Sequence, residues 1–539
     1  MKKSTVSSSQ TKLSSSDNST SFSRLTLSSP RRRGSISRPN WIPTFVGMTK
    51  MNVGITVSLI ITLIFFTLFS YQSLKLYNAH RTRGDLTNFA QAMWNTTRGR
   101  VMQNTFNYSI HNFWGERNAD IPKTSNVFGI HFNPILFLFV PIYALFPDPR
   151  TLLVLQSFFV ACAGLLLYVL GLRYIKNAAI VIALQCIFYL HVGVVSAVLS
   201  EFHAYSLTLF FGFLLVLTSE LCHPRISMSS SGDRLSSSGL TRGSRANWIP
   251  TFVGMTENIF YYVSLALFLS IQENTGITAA AFGLLLLANR QDRARGIITV
   301  LISLGYVLLT TKIIIPSLSN YNGYIFESIY GSRLGGSMLE IVKNGLLHPV
   351  LLISTLLTFP NIFYVLKLTA WVFPFFILSP FYFVVFLSGI AINLISQSEL
   401  LKSITMHYES AAIPFLFVGT VHGIVIFLAV IKKYVPKKFA SHNIPLFVTI
   451  SLLVIASVVL YRKTTFFRFN PRLIATSIYS NIDEELDKVL EMIPRNASVS
   501  TQDYISGHLS SRRKLYLFPV YANKVDYVLL SGTSQSSWP

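Results

Sequence analysis

Long uncharged apolar runs constrain this chain more than any other feature of its sequence. Several runs reach the roughly 20 residues that an α-helix needs to cross the hydrocarbon core of a bilayer. Of the 539 residues, 51% are hydrophobic and only 12% are charged, about half the charged share of ordinary soluble domains. The sequence therefore predicts an all-α polytopic membrane protein, and it excludes a soluble enzyme, a secreted disulfide scaffold and a disordered chain.

Eleven candidate transmembrane spans follow from the apolar runs and their charged flanks. Segment 131–147 is also apolar, and we interpret it as an interfacial or re-entrant helix rather than a span, because it contains Pro134, Pro141 and Pro147. Two of the runs are short, and we expect them to form a bent pair that meets at the polar Glu273. The predicted spans are 52–74, 151–171, 177–199, 202–221, 258–271, 275–289, 296–315, 363–379, 381–397, 409–431 and 444–461.

The distribution of positive charge predicts the orientation of these spans. A net charge of +23 would suggest nucleic acid as a partner for a soluble protein. Here Lys and Arg concentrate in alternate loops, as the positive-inside rule requires of cytoplasmic loops. We therefore expect no nucleic-acid partner, a cytoplasmic amino terminus and an extracytoplasmic carboxyl terminus.

The chain divides into three predicted parts. Residues 1–50 are Ser-rich and basic, and we expect a disordered cytoplasmic segment. Residues 51–461 form the transmembrane domain, with an outer loop at 75–128 and a cytoplasmic insertion at 223–257. The insertion contains NWIPTFVGMT, a ten-residue sequence that also occurs at 40–49. Residues 462–539 are polar, with a helical pattern at 481–492 and three strand-like runs, which predicts a small α/β domain on the outer face.

Polar and ionisable residues that are distant in sequence are all predicted at the outer face. Ionisable groups at membrane depth are costly and tend to be functional, so this convergence is the main sequence evidence for a site. Cys162, Cys186 and Cys222 lie in or beside apolar segments without paired spacing, which favours buried small side chains over a disulfide or metal site. The converging residues are Arg83, Asp85, Asn88, His131, Glu201, His203, Glu273, His407, Tyr408 and Glu409.

Structural interpretations of the same residues remain open at this stage. Asp85 can be the cap of a helix through 89–95, since Asp is a favoured capping residue. Glu201 and His203 can be hydrated interfacial residues, and Glu273 can have a purely structural role. His131 and His407 fit hydrogen-bonded packing residues as well as ligands. A divalent cation is a candidate cofactor, although no His-x-x-x-His spacing supports one.

Six stretches of the chain form an ordered set of motifs. They are GDLTNFAQAMWNTTRGR (84–100), FGIHFNPILFLFVPIYALFPDPRTLLVLQSF (128–158), EFHAYSLTL (201–209), IQENTGITAA (271–280), HYESAAIPFLF (407–417) and IPRNASVSTQDYISGHLSSRRKLYLFP (493–519). Together these stretches resemble a bacterial and archaeal family of integral membrane proteins, catalogued as domain of unknown function 2079. The family usually has an F-D-F-H motif where this chain has Glu201-Phe202-His203, and Lys-Glu-Asp where this chain has Gln272-Glu273-Asn274.

That family is similar to the type C membrane glycosyltransferases, which use polyprenyl-phosphate sugars. The resemblance implies transfer of a sugar from a lipid-phosphate donor to an acceptor at the outer face, with membrane lipid as a partner. Asp85, Glu201 and Glu273 would be the catalytic residues, with Asp85 as the general base. Glu201 and Glu273, together with His203, would orient the acceptor or a divalent cation. Arg81 and Arg83 would contact the donor phosphate, or they are solvated loop charges. The substrate-binding candidates are Arg81, Arg83, Asn88, His131, His203, His407 and Tyr408.

Two other classes of function stay open. A transporter or flippase of lipid-linked or small solutes would commonly show inverted span repeats and polar groups at mid-membrane. Here the polar groups gather at one predicted face instead. A non-catalytic membrane scaffold or a decayed gene product is the third hypothesis, because the duplicated ten-residue sequence resembles a mobile repeat inserted twice into one reading frame.

Overall fold

The computed structural model describes residues 45–106, 125–222, 249–319, 324, 326, 333–434, 448–449, 451–452 and 481–531. Its chain contacts define two units, residues 1–50 and residues 51–539. Of the first unit only the start of the first helix is described. All of the features below lie in the second unit.

Helices dominate the described residues. The α-helices are α1 (Phe45–Asn78), α2 (Gly84–Thr96), α3 (Val140–Leu145), α4 (Pro149–Ile175), α5 (Ala178–Leu190), α6 (Val192–Leu199), α7 (Thr208–Leu221), α8 (Ile249–Leu269), α9 (Thr275–Leu287), α10 (Arg293–Leu309), α11 (Ile315–Leu318), α12 (Met338–Leu347), α13 (Pro349–Leu356), α14 (Phe359–Thr369), α15 (Pro380–Gly389), α16 (Ala391–Ile395), α17 (Ile413–Tyr434), α18 (Asn481–Glu491) and α19 (Asp503–Ser506). Short 3-10 turns, among them Pro134–Leu138 and Ala204–Leu207, connect several of these helices.

Several helices have the length and composition of membrane spans, as the sequence predicts. In the described part of the chain five qualify, namely Val53–Asn78, Pro149–Ile175, Ala204–Leu221, Arg293–Leu318 and Ile413–Tyr434. Two bent pairs bring the number to seven if each pair is one span: Ala178–Leu190 with Val192–Leu199, and Leu339–Leu347 with Pro349–Leu356.

Other predicted spans are shorter or broken. The predicted bent pair appears as two short apolar helices, Asn258–Leu269 and Thr275–Leu287. The predicted span 363–379 is divided into α14 and two 3-10 turns, because Pro374 lacks the amide hydrogen that a continuous helix requires. The α12–α13 pair, bent by 110°, is not among the predicted spans. Of the predicted span 444–461, only residues 448–449 and 451–452 are described.

A buried glutamine on α4 holds the break between α6 and α7. The amide nitrogen of Gln156 donates to the carbonyl oxygens of Ala197 (3.2 Å), Val198 (3.1 Å) and Glu201 (2.9 Å). Its amide oxygen accepts from the backbone N–H of His203 (2.9 Å). Buried backbone groups must find partners, so Gln156 allows residues 200–203 to leave the helical path inside the bundle.

The carboxyl-terminal described segment, residues 481–531, carries a parallel three-stranded sheet in the order β2–β1–β3. The strands are β1 (Val499–Thr501), β2 (Leu515–Leu517) and β3 (Tyr527–Leu529), and they lie within the three strand-like runs of the sequence. This segment packs against α2. The hydroxyl groups of Thr87 and Ser506 lie 2.6 Å apart, and Gln91 donates to the carbonyl oxygen of Arg512 at 3.1 Å.

Candidate functional site

A cavity of about 180 Å³ lies between α2 and the residues that precede α7, α9 and α17. It is many times larger than the 10–15 Å³ or so that one water molecule needs by the same measure, so it can hold a small polar ligand. Six of the ten predicted site residues line it: Asp85, Asn88, His131, His203, His407 and Tyr408. Arg81, Arg83, Glu201 and Glu273 are outside this lining.

Helix α2 carries Asp85 and Asn88 to the cavity, and its first turn is held by two acids from distant segments. Glu201 accepts from the backbone N–H of Leu86 at 3.1 Å, and Asp503 accepts from the backbone N–H of Gly84. A Cβ atom at residue 84 would lie 2.5 Å from the Asp503 carboxylate, so the close approach of that carboxylate requires glycine.

Asp85 is not the capping residue of α2, so the capping hypothesis is wrong. Arg83 occupies the capping position, and its guanidinium carries only donors, so it cannot accept from the amides of the first turn. Asp85 is the second helical residue, and Asp503 and Glu201 accept from amides of that turn. The Asp85 carboxylate faces the cavity instead.

Burial changes the proton affinity of the acids around α2. It raises the pKa of Asp85, against the opposing charges of His131 and Arg83. It also raises the pKa of Glu201 well above its usual range, and the charges of Asp85 and Asp503 add to this effect. A carboxylate with a raised pKa is a stronger base near neutral pH, so Asp85 has the chemical character of a proton acceptor.

Two histidine rings form one wall of the cavity. The rings of His203 and His407 stack with centroids 3.5 Å apart and an interplanar angle of 11°. Burial and the neighbouring histidines lower the pKa of His203 well below its usual value. Burial and the charge of His131 lower the pKa of His407 to about 3. Both rings are therefore neutral at physiological pH, which removes the repulsion that two stacked imidazolium ions would experience.

Glu273 holds the third histidine in place from behind the cavity wall. Its carboxylate lies 2.8 Å from Nδ1 of His131 and accepts from the hydroxyl of Tyr324 (2.7 Å) and the backbone N–H of Phe132 (3.1 Å). Phe326 stacks on the other face of His131 at 4.4 Å. The predicted bent pair thus meets at a buried carboxylate, and that carboxylate supports the cavity rather than lining it.

Asp85, His203 and His407 each bring one potential metal-ligating atom within 4.8 Å of the other two. The hydrogen bonding of His203 does not suit a metal ion. Its Nδ1 accepts from the backbone N–H of Tyr205 at 3.1 Å, so in the neutral ring the proton is on Nε2. His203 therefore offers a hydrogen-bond donor here and not the lone pair that a metal needs.

Sequence reasoning missed three residues that shape the site. Gln156 orders the turn that carries Glu201 and His203, Tyr324 donates to Glu273, and Asp503 binds the start of α2. A polar Gln156 inside an apolar run is itself an indication, because buried polar groups in spans require partners. Tyr324 and Asp503 stand in ordinary polar surroundings, and their sequence context contains no comparable indication.

The fold and the cavity define a polytopic helical membrane protein whose polar residues converge from widely separated segments. Residues 75–222 and 251–539 match the family described as "Predicted membrane protein (DUF2079)", and the chain belongs to this family. The break in the match at 223–250 lies within the predicted insertion at 223–257. No curated protein matches the chain.

Proposed function

We propose that this protein is a type C-like glycosyltransferase of the bacterial inner membrane. It would transfer a sugar from a polyprenyl-phosphate donor to an acceptor on the outer face. The proposal includes eleven spans, a cytoplasmic amino terminus, and an outer location for loop 75–128 and residues 462–539. The asymmetric Lys and Arg content of the predicted loops supports this orientation.

One observation carries the proposal. Asp85 lines the cavity and has a raised pKa, and His203, whose neutral ring carries its proton on Nε2, lines the same cavity. A carboxylate base and neutral donors suit a reaction in which a hydroxyl group loses its proton and positive charge develops on a sugar carbon.

In the proposed reaction a residue of this chain accepts the proton, and the donor itself supplies the leaving group. As the acceptor hydroxyl oxygen forms a bond to the anomeric carbon, its proton passes to the Asp85 carboxylate. The bond between the anomeric carbon and the phosphate oxygen breaks, and polyprenyl phosphate leaves with the bonding electron pair. His203 would donate a hydrogen bond to the bound sugar or acceptor, and Asn88 and Tyr408 offer further polar contacts.

The other predicted site residues have supporting roles in this proposal. Glu201 positions Asp85 through the first turn of α2, and Glu273 orients His131. His407 stacks on His203 and fixes its ring. Arg83 lies at the start of α2, where its charge opposes the rise in the pKa of Asp85, and with Arg81 it would attract the donor phosphate.

The test is to incubate the purified protein in lipid nanodiscs with radiolabelled polyprenyl-phosphate sugars and a mixture of candidate acceptors. The expected result is time-dependent release of label from the lipid fraction into an acceptor. Unchanged donor, together with movement of labelled lipid between leaflets in proteoliposomes, would contradict the proposal and favour the transporter hypothesis.

A further inference from the structure

A second cluster of metal-ligating side chains lies away from the cavity, where the carboxyl-terminal segment meets the end of α1. His80 follows α1, Asp487 is on α18, and His508 is on the 3-10 turn Gly507–Leu509. One potential ligating atom of each lies within 4.8 Å of those of the other two. His80 lies 407 residues before Asp487, whereas Asp487 and His508 both belong to the carboxyl-terminal segment 481–531.

The His80–Asp487 contact has the spacing of two ligands on one metal ion. Nε2 of His80 lies 3.0 Å from Oδ1 of Asp487. Metal bonds of 2.0–2.2 Å at tetrahedral angles place neighbouring ligand atoms about 3.3 Å apart. A bound ion would therefore require only a small opening of this contact.

The third side chain has a free lone pair on a known nitrogen. Nε2 of His508 donates to the carbonyl oxygen of Tyr77 at 2.9 Å. Nδ1 of His508 therefore carries the lone pair when the ring is neutral. Histidines that bind metals usually donate their other ring N–H to a carbonyl oxygen or carboxylate in this way. This is the opposite of the arrangement at His203, where Nδ1 itself accepts a hydrogen bond.

Ring packing and backbone geometry hold the cluster in place. The His508 ring lies between Tyr77 and His80, with centroids 4.1 Å from each. His80 is only 2% exposed and has φ of +53°, a left-handed conformation at the end of α1 for which Gly and Asn are the usual choices. Nδ1 of His80 has no hydrogen-bond partner among the described residues.

Solvent and an ion can reach this cluster. Asp487 and His508 line an open cavity of about 1550 Å³. Arg150 lines the same cavity and its charge acts on His508, and it is held in a two-point contact with Asp148 at 2.8 and 2.7 Å. Its positive charge is thus balanced, and water from the cavity can complete the coordination of an ion bound by three side chains.

We propose that His80, Asp487 and His508 bind a zinc ion that joins the carboxyl-terminal segment to the end of the first membrane helix. Two imidazoles and one carboxylate are borderline ligands that suit Zn²⁺ and disfavour Mg²⁺ and Ca²⁺. The ion links α18 and the turn at His508 to α1, and it does not take part in the proposed sugar transfer. Failure of the zinc proposal would therefore not contradict the proposed function.

The test uses full-length protein in detergent from which metal has been removed with a chelator. Calorimetry measures binding as ZnCl₂ is added, and mass spectrometry counts the bound metal ions. We expect the wild type to bind zinc and to unfold at a higher temperature when zinc is present. His508→Gln and Asp487→Asn should each weaken binding by about 100-fold or more, since loss of even an outer-shell partner costs 10–100-fold. Asp487 is half-exposed on a helix, so its variant should fold.

Two control variants, each lacking a histidine elsewhere in the protein, test whether zinc binding is specific to this site. His348→Gln removes an exposed histidine, and His407→Gln removes one from the cavity, and neither should change zinc affinity. No zinc binding by the wild type would contradict the proposal. Zinc binding that survives in both His508→Gln and Asp487→Asn, or that is lost only in His407→Gln, would contradict it equally.

Discussion

The carboxylate of Glu273 lies 2.8 Å from Nδ1 of His131, although 142 residues separate them in sequence. Glu273 is 1% exposed, and burial alone would raise its pKa. The charge and hydrogen bond of His131 and the hydroxyl of Tyr324 outweigh burial and hold this pKa below its usual value. Glu273 is therefore an ionised buried group that ties residues 131–132 to the junction of α8 and α9.

Replacing Glu273 with Gln should destabilise the protein. Gln keeps the volume but loses the charge, and hydrogen bonds to a charged group contribute about 1.5–3 kcal/mol. Because the folded pKa is depressed, this stabilisation is present above the ordinary pKa of 4.5 and is lost as the pH falls through the folded value. Thermal unfolding in detergent at neutral and acidic pH should show the two proteins converging on acidification.

Glu201→Gln is the matched control for that change. The pKa of Glu201 is raised well above its usual range, so Gln resembles the protonated acid and can still accept from Leu86. We expect its melting temperature to stay close to that of the wild type. A loss equal to that of Glu273→Gln would show that the Glu201 charge is also required.

Asp85→Asn should abolish most sugar transfer without unfolding the protein. Asn cannot accept a proton at neutral pH, so a catalytic base should lose about 10²–10⁴-fold in rate. Stability should be little changed, because Glu201 and Asp503 bind amides of the first turn of α2. The measurement is label transferred per folded protein in nanodiscs, with Asp148→Asn as a control outside the cavity. Full activity in Asp85→Asn would remove this residue from the mechanism.

Asp503 should make stability depend on pH. Burial, with the charge of Asp85, raises its pKa to about 6 from an ordinary 3.8. The folded state therefore binds this proton more tightly, and its stabilising effect is full below 3.8 and lost as the pH rises through about 6. The melting temperature of the wild type should fall relative to that of Asp503→Asn as the pH rises from 3.8 to about 6. Parallel curves for the two proteins would contradict the assignment.

The proposed orientation can be tested by labelling single cysteines in a background without Cys162, Cys186 and Cys222. Val101 is 54% exposed and Lys524 is exposed in the carboxyl-terminal segment. Cysteines at both positions should react with an impermeant maleimide in intact spheroplasts. A cysteine at Ser236 should react only after lysis. The reverse pattern would place the cavity on the cytoplasmic side.

Deletion of residues 224–247 should leave the membrane helices intact. The family match omits these residues, and insertions in loops cost little because loop-closure entropy grows slowly with length. Membrane yield and monodispersity in detergent should match those of the parent. An equally long deletion within 481–531, which packs against α2, should reduce both. Equal losses in the two deletions would show that the insertion supports the fold.

Sequence patterns located the apolar helices, the strand-like runs and six of the cavity residues, because hydropathy and isolated polar groups are local properties. They did not predict the break of segment 363–379, where Pro374 limits the helix. They also did not predict the contacts that Glu201 and Asp503, from distant parts of the sequence, make with the first turn of α2. The partners of Glu273 and Asp85 also depend on which loops meet in space. Spacing along the chain carries no such information when the partners are far apart in sequence, as Glu273 is from Tyr324 (51 residues) and from His131 (142 residues).

The contacts at the start of α2 set an order for biosynthesis. Thr87 and Ser506 touch although 419 residues separate them, and Asp503 binds the same helix. The ribosome therefore completes α2 and inserts the spans that follow it long before the partners of α2 exist. Until the carboxyl-terminal segment has been translated and has reached that helix, the first turn of α2 lacks its contacts with Asp503 and Ser506. A nascent chain can thus have its apolar helices in the membrane before the contacts at the start of α2 have formed.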